Sequence, residues 1–283
     1  MSGTITVSPG YTWTSTSDVL TNAKINQTGN PSMQVAAGGI SSREIAFSAM
    51  PIDPSESALT FEDFLQTAPT IGAATGLIGE GRLTRVASGN SCTVESTPAT
   101  AGYAGMVVLT DCVDAGGAGF SMIRGPSGTG AWVLGSGETT VEWEIISPSV
   151  LSSGAADTYT LYIGLANGDA TCAAPTDGVY FSYTHSVSSG AWIGMTTASS
   201  VTTSVVGSVM VVSTNYKLKA VINAAGNSVE FFINGTSIGT STTNIPTAAL
   251  TYLCGMNDTL SSASSNSFKA DWVKIQQTFS TSR

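Results

Sequence analysis

From about residue 82 onward, apolar and polar positions alternate with a period of two, as strands with one buried face require. Ala104 to Thr110 is the first strong run. In Thr139 to Ile146, Val141, Trp143 and Ile145 share one face, and Glu142 and Glu144 share the other. Thr158 to Ala166, Gly178 to Thr184 and Ala191 to Thr197 continue the series. Tyr216 to Ile222 places Tyr216, Leu218, Ala220 and Ile222 inside and both lysines outside. Val229, Phe231 and Ile233 form one face of the next strand. Asn234-Gly235 then tolerates the positive φ of a type I′ hairpin turn. Phe268 to Ile275 is a final strand. Roughly a dozen short strands, turns about every 8–12 residues and no long helix predict an all-β sandwich or barrel.

The first 82 residues read differently. Ser17-Asp18 can cap a short helix from Val19 to Asn26, with Leu20, Ala23 and Ile25 facing inward. Gly29-Asn30-Pro31 stops it, and Met33-Gln34-Val35 is extended. Residues 46–82 hold Pro51, Pro54 and Pro69 and one amphipathic fragment, Thr60 to Gln66. There Phe61, Phe64 and Leu65 fall at helical spacing and predict a turn or two of helix. The expected division is an anchoring segment over 1–45, a linker with a short helix over 46–82, and a β body over 83–283. The first segment is too small to bury a core of its own, so it docks on a partner or on copies of itself.

Only 10% of the residues are charged, glycine supplies 31 of 283, and the net charge is −9 with a pI near 4.4. Serine and threonine hydroxyls therefore wet much of the surface. No basic cluster exists to neutralise phosphates, which argues against nucleic acid as a partner. An acidic surface is also repelled by anionic membranes. The opening residues lack the basic and apolar regions of a signal peptide. The longest apolar stretch, near Val205 to Val212, is broken by Gly207 and Ser208 and is too short to span a bilayer. Synthesis in a cytoplasm is the expectation.

Of the four cysteines, Cys92, Cys112, Cys172 and Cys254, no two form a C-x-x-C pair, and His185 is the sole histidine. Zinc binding gains no support from that set. Either all four are small buried thiols or one or two bridges form, with Cys92–Cys112 and Cys172–Cys254 as the expected pairs.

Several segments carry a resemblance. Asp177-Gly178-Val179-Tyr180-Phe181-Ser182-Tyr183, Trp192, Tyr216-Lys217-Leu218 and the run from Asn223 to Gly235 resemble a domain of many tailed-phage virion proteins. Thr243 to Thr247, Asp271-Trp272-Val273, Gly135 to Trp143 and Leu161 to Leu165 extend it over about residues 84–276. That domain is similar to the concanavalin-A-like lectin/glucanase fold, a two-sheet antiparallel jelly-roll sandwich. Tyr11-Thr12-Trp13-Thr14-Ser15, Val19 to Asn26 and Gly29-Asn30-Pro31 resemble the leader of phage fibre, collar and decoration proteins. The resemblance implies a virion protein, often a homotrimer, held to other virion proteins through residues 1–45. Trp13, Val19, Leu20, Ile25, Met33 and Val35 are the anchor's apolar candidates.

Glu142 and Glu144 deserve comparison with a catalytic pair. Residues i and i+2 of a strand stand roughly 6.5–7 Å apart, against about 5–5.5 Å between the carboxyls of retaining glycosidases. Glucanases of this fold carry a third acid on the same strand, and none follows between Ile145 and Ser149. A solvated strand face is the expected reading, and the chain is not expected to be an enzyme. No Gly-x-Ser-x-Gly elbow or nucleotide-binding glycine pattern occurs. Asp177, Tyr183, His185 and Trp192 lie in one stretch and are the candidate ligand-binding patch, although strand Trp and Tyr are more often core. Asn167, Asp169 and Asp177 do not match a lectin metal set, so no metal and no cofactor is expected. The expected function is a virion structural protein displaying a lectin-like sandwich for host-surface adhesion. A carbohydrate-binding receptor module and, less favoured, a glycan-degrading enzyme are the alternatives.

Overall fold

The computed structural model describes residues 5–8, 11–12, 32–35, 56–64, 76–78, 83–89, 92–97, 105–111, 119–125, 130–153, 158–167, 171–185, 187–260 and 266–281. The chain divides into two compact units, Met1–Asp53 and Pro54–Arg283. In the first, β1 (Ile5–Ser8) is the centre of an antiparallel three-stranded sheet between β2 (Tyr11–Thr12) and β3 (Ser32–Val35). Met33 and Val35 of the expected anchor lie in β3; Trp13, Val19, Leu20 and Ile25 and the expected helix from Val19 to Asn26 lie outside the described residues.

The second unit is the expected two-sheet antiparallel sandwich. Its strands in chain order are β4 (Ser57–Glu62), β5 (Gly76–Ile78), β6 (Leu83–Ser88), β7 (Thr93–Thr97), β8 (Met106–Thr110), β9 (Gly119–Arg124), β10 (Gly137–Ile146) and β11 (Thr158–Ala166). They continue with β12 (Gly178–Tyr183), β13 (Ala191–Ala198), β14 (Val201–Val209), β15 (Asn215–Ile222), β16 (Val229–Ile233), β17 (Thr236–Ser241), β18 (Thr251–Leu260) and β19 (Ser267–Phe279). One sheet runs β17-β16-β15-β10-β19-β8-β7, with β4 also on β19. We call it the charged sheet, for its outer face. The other runs β14-β13-β12-β11-β18-β9-β6-β5 and is the hydroxyl sheet.

Alternation delivers the core. Val141, Trp143 and Ile145 of β10, Leu218, Ala220 and Ile222 of β15, and Phe231 of β16 are buried inward on the charged sheet. Leu161, Ile163, Phe181, Tyr183 and Trp192 meet them from the hydroxyl sheet. Edge-on aromatic pairs bridge the two layers, Phe181–Phe231 at 5.4 Å and Trp192–Tyr216 at 5.5 Å between centroids, a favoured ring geometry. Gly194 makes room for one of them, since a Cβ there would stand 2.5 Å from the Phe231 ring. The β16–β17 turn is as expected, with Asn234 at φ 50° and Gly235 at φ 80°.

Two expectations need correction. Residues 60–62 are not helical: they belong to β4, which pairs with Val273–Thr278 of β19. A one-turn helix gains little on its own, whereas the edge of β19 satisfies a whole row of backbone groups. Phe64 closes that strand, buried and at φ 52°, while Leu65 and Gln66 lie outside the described residues. β4 and β5 thus place parts of the expected linker in the sandwich. Second, Cys172 and Cys254 are both buried thiols rather than a bridge. Cys254 points into the core, and Cys172 lies in the small outer cluster with Met122, Ala166 and Leu253. The backbone of β18 separates them: its next residue, Gly255, faces outward, and a Cβ there would lie 2.4 Å from the Cys172 sulfur. Cys92 is disulfide-bonded, and Cys112 lies outside the described residues.

Candidate functional site

The four candidates of the 177–192 stretch do not converge. Tyr183 and Trp192 are fully buried, 5.8 Å apart between centroids, and act as core rather than as a sugar platform. Strand β12 lies between Asp177 and His185, so the two stand roughly 25 Å apart at ~3.3 Å per residue. His185 is exposed on a turn. Asp177 ties turns together: its Oδ1 accepts the Ser199 N–H at 3.1 Å, and its own N–H goes to Asn167 Oδ1 at 3.3 Å.

Glu142 and Glu144 lie on the outer face of the charged sheet. Glu142 stands across from Lys219 on β15 and Lys274 on β19. Glu144 is buried, at 8% exposure, which corrects the expectation of a solvated face for this residue. It accepts hydrogen bonds from Trp272 Nε1 and Asn215 Nδ2, both at 2.7 Å, and lies 3.5 Å from Lys217 Nζ. Beside it the register of β10 on β19 shifts between Glu144 and Ile145, leaving Asp271 as the extra residue of a bulge. Burial, then Glu144 and Asp63, push the Asp271 carboxyl up to about 6, with Lys217 opposing. Among the described residues no three of His, Cys, Asp or Glu gather as a metal site.

The outer face of the hydroxyl sheet carries a groove of about 290 Å³, just below the ~300–1,000 Å³ typical of ligand sites. Strand parity builds it. Leu161 and Ile163 point inward, so Tyr162 and Thr160 point outward; Val179 and Phe181 point inward, so Tyr180 and Ser182 point outward. Tyr162 and Tyr180 meet edge-on at 5.9 Å. Ile193 and Met195 of β13 supply the apolar floor, and Ala174 and Pro175 lie at the rim. The rim segment is held where Cys172 packs on Gly255.

The groove's hydroxyls are bonded to one another: Thr160 to Thr184 at 2.8 Å, and Tyr180 and Thr202 each to the buried Thr197 behind the lining, at 3.2 and 3.1 Å. No lining residue is an acid, a base or a histidine. Burial, then Cys172 and Tyr180, push the Tyr162 phenol up to about 12; burial also raises Tyr180. Both phenols therefore stay protonated donors throughout the neutral range. The arrangement can accept and donate hydrogen bonds around an apolar floor, and it supplies no group to move a proton. The signal for Tyr162 and Tyr180 was present in the sequence as two tyrosines at outward parity on neighbouring strands.

A family described as SO2946-like, C-terminal domain, matches residues 102–271. The chain belongs to that family. The SO2946-like region contains β8 to β18 and much of β19, and so the groove. Among curated proteins none matches. Solved structures with similarity include the Emp47p carbohydrate recognition domain, 11% identical, covering 80% of this chain and 99% of that one at a TM-score of 0.49. The potassium-bound Emp46p carbohydrate recognition domain is 12% identical over 69% of this chain and 88% of that one, TM-score 0.44. Alginate lyase AlyC3 is 9% identical over 61% and 75%, TM-score 0.44. Lectin domains and a lyase stand side by side at these low identities, so they decide neither ligand nor reaction.

Proposed function

We propose that this chain is a non-enzymatic display protein of a phage particle whose β-sandwich binds uncharged carbohydrate in the groove of the hydroxyl sheet. The observation that carries the binding reading is the groove's lining: the part-buried Tyr162 ring backed edge-on by the buried Tyr180, hydroxyl groups and a small apolar floor, with no charged side chain. Sugar rings present apolar C–H faces and hydroxyl edges, the two surfaces such walls complement. A binding rather than hydrolytic role is supported by where the carboxylates stand. Glu142 and Glu144 lie on the other sheet's outer face, and Glu144 is taken up by Trp272, Asn215 and Lys217. Attachment to a virion, joined to other virion proteins through residues 1–45, rests on the sequence resemblance.

Two measurements test this. On a glycan array the full chain should retain neutral glycans and show no preference for sialylated or uronate-bearing ones. Selective retention of anionic glycans contradicts the binding reading, and release of reducing ends from any retained glycan contradicts the non-enzymatic one. A chain lacking residues 1–45 should keep a β-sheet circular dichroism spectrum and no longer enter particles. Normal incorporation of that truncated chain contradicts the attachment reading.

A further inference from the structure

The hydroxyl sheet ends on β14, and among the described residues no strand pairs with its far side. Among the described residues this is the longest edge strand, nine residues, against six in β4 and in β17, five in β7 and three in β5. Natural edges are usually blunted by lysine, proline or brevity. β14, Val-Thr-Thr-Ser-Val-Val-Gly-Ser-Val, has none of these. One register shift against β13 lies near its end, between Ala191 and Ile193, and leaves Val201–Val206 in regular pairing.

Apolar side chains gather on this border. Val206, Val209 and Val211 are each more than half exposed, at 54%, 57% and 57%, and Val212 is also exposed. The 147–151 loop is tied alongside, with Ser147 Oγ donating to the Val211 carbonyl at 2.6 Å and the Ser213 N–H donating to the Pro148 carbonyl at 2.9 Å. That loop presents Val150 and Leu151, both exposed. Single exposed valines mean little, but several grouped beside a strand edge with no pairing partner mark an association surface, while the inward side of β14 is tied to the chain after β17 by Thr203 and Thr243 at 2.7 Å.

Charge selects the occupant. The sequence holds no Asp, Glu, Lys or Arg between Asp177 and Lys217, nor between Glu144 and Asp157. Two chains of net charge −9 repel when acidic surfaces meet, and this sector lets them approach without that cost. We propose that β14 pairs antiparallel with β14 of a second copy of this chain. The two-fold contact continues the hydroxyl sheet across both molecules. Two nine-residue strands, roughly 30 Å long, exchange about nine inter-strand hydrogen bonds. The six apolar side chains leave on the order of 500 Å² to water, and the open backbone edge adds toward the ~800 Å² per partner of a standard interface. Thr202, on the groove's wall, lies on this same strand, so pairing sets two grooves on one continuous face. The pairing itself does not depend on what the grooves bind.

Sedimentation velocity of the full chain at micromolar concentration tests the proposal, beside Ser204→Lys/Val206→Lys and, separately, Val211→Lys. These side chains are exposed, and near-unchanged circular dichroism and melting confirm that each variant folds. The native mass should be an even multiple of the chain mass, and the strand variant should lower it at least twofold, with Val211→Lys weakening association in the same direction. A monomeric native chain overturns the proposal. So does any assembly whose mass the folded strand variant leaves unchanged.

Discussion

On the outer face of the charged sheet, Glu142 and Glu144 of β10 stand across from lysines on neighbouring strands, and Glu144 is further held by Trp272 and Asn215. On the outer face of the hydroxyl sheet, the same alternation presents tyrosine, threonine and serine around a groove. One face ties up its buried carboxylate in side-chain contacts. The other satisfies its hydroxyls in pairs, yet each hydroxyl keeps lone pairs open to a solute. Recognition on this sandwich is thus expected where charge is absent, not where the carboxylates are.

The bluntest way to break that contrast is to remove the core both faces share. Trp192→Ala should cost about 3–5 kcal/mol, read by urea unfolding, because the ring packs between Tyr183 and Tyr216. A variant that stays nearly as stable but loses ligand would make Trp192 a platform instead. Gly255→Ala comes next. Its Cβ would press on the Cys172 sulfur and, at 2.8 Å, on Met122, so it should cost about 1–3 kcal/mol of overpacking and displace the rim carrying Ala174 and Pro175. Tyr162→Ala should weaken a neutral glycan at least tenfold, about 1.4 kcal/mol, by calorimetric titration. Glu142→Gln/Lys219→Gln should leave that affinity unchanged; equal losses from both variants would erase the distinction between the faces.

The smallest effect belongs to Asp271. Its folded carboxyl titrates near 6, above the ~3.9 of an unfolded aspartate. The folded state therefore holds the proton more tightly, and its stabilising effect is full below pH 4 and lost as pH rises through 6. Asp271→Asn should raise the melting temperature modestly at pH 7.5 and hardly at all at pH 4. An equal gain at both values would place the cause outside ionisation.

Much of the sandwich was legible because long strands fix their own parity. Residues 139–146 and 216–222 each show a period of two with charges on one side, and the structure places them next to each other in register. β4 was not legible. Over seven residues, Phe61, Phe64 and Leu65 fit a helix, and the strand that overrides this spacing lies about two hundred residues away in sequence. The site failed for a different reason. Proximity in sequence grouped Asp177, Tyr183, His185 and Trp192, but neighbours along a strand face opposite ways. Counting parity from Phe181 inward selects Tyr180 and Ser182 instead, and from Ile163 selects Tyr162. The buried state of Glu144 needed the position of Trp272, which a bulge sets and no periodicity announces. The Cys172–Cys254 expectation failed because a sheet runs between the two sulfurs.

Methionine-methyl NMR of the full chain gives the most direct test of neutral-sugar recognition in the groove. Met195 lines the groove, whereas Met106, Met210 and Met256 are buried elsewhere. Titration with a neutral oligosaccharide retained on the array should shift the Met195 signal progressively and leave those three nearly still, unchanged in pattern between pH 6 and 8. A bound oligosaccharide that leaves Met195 unmoved contradicts the account.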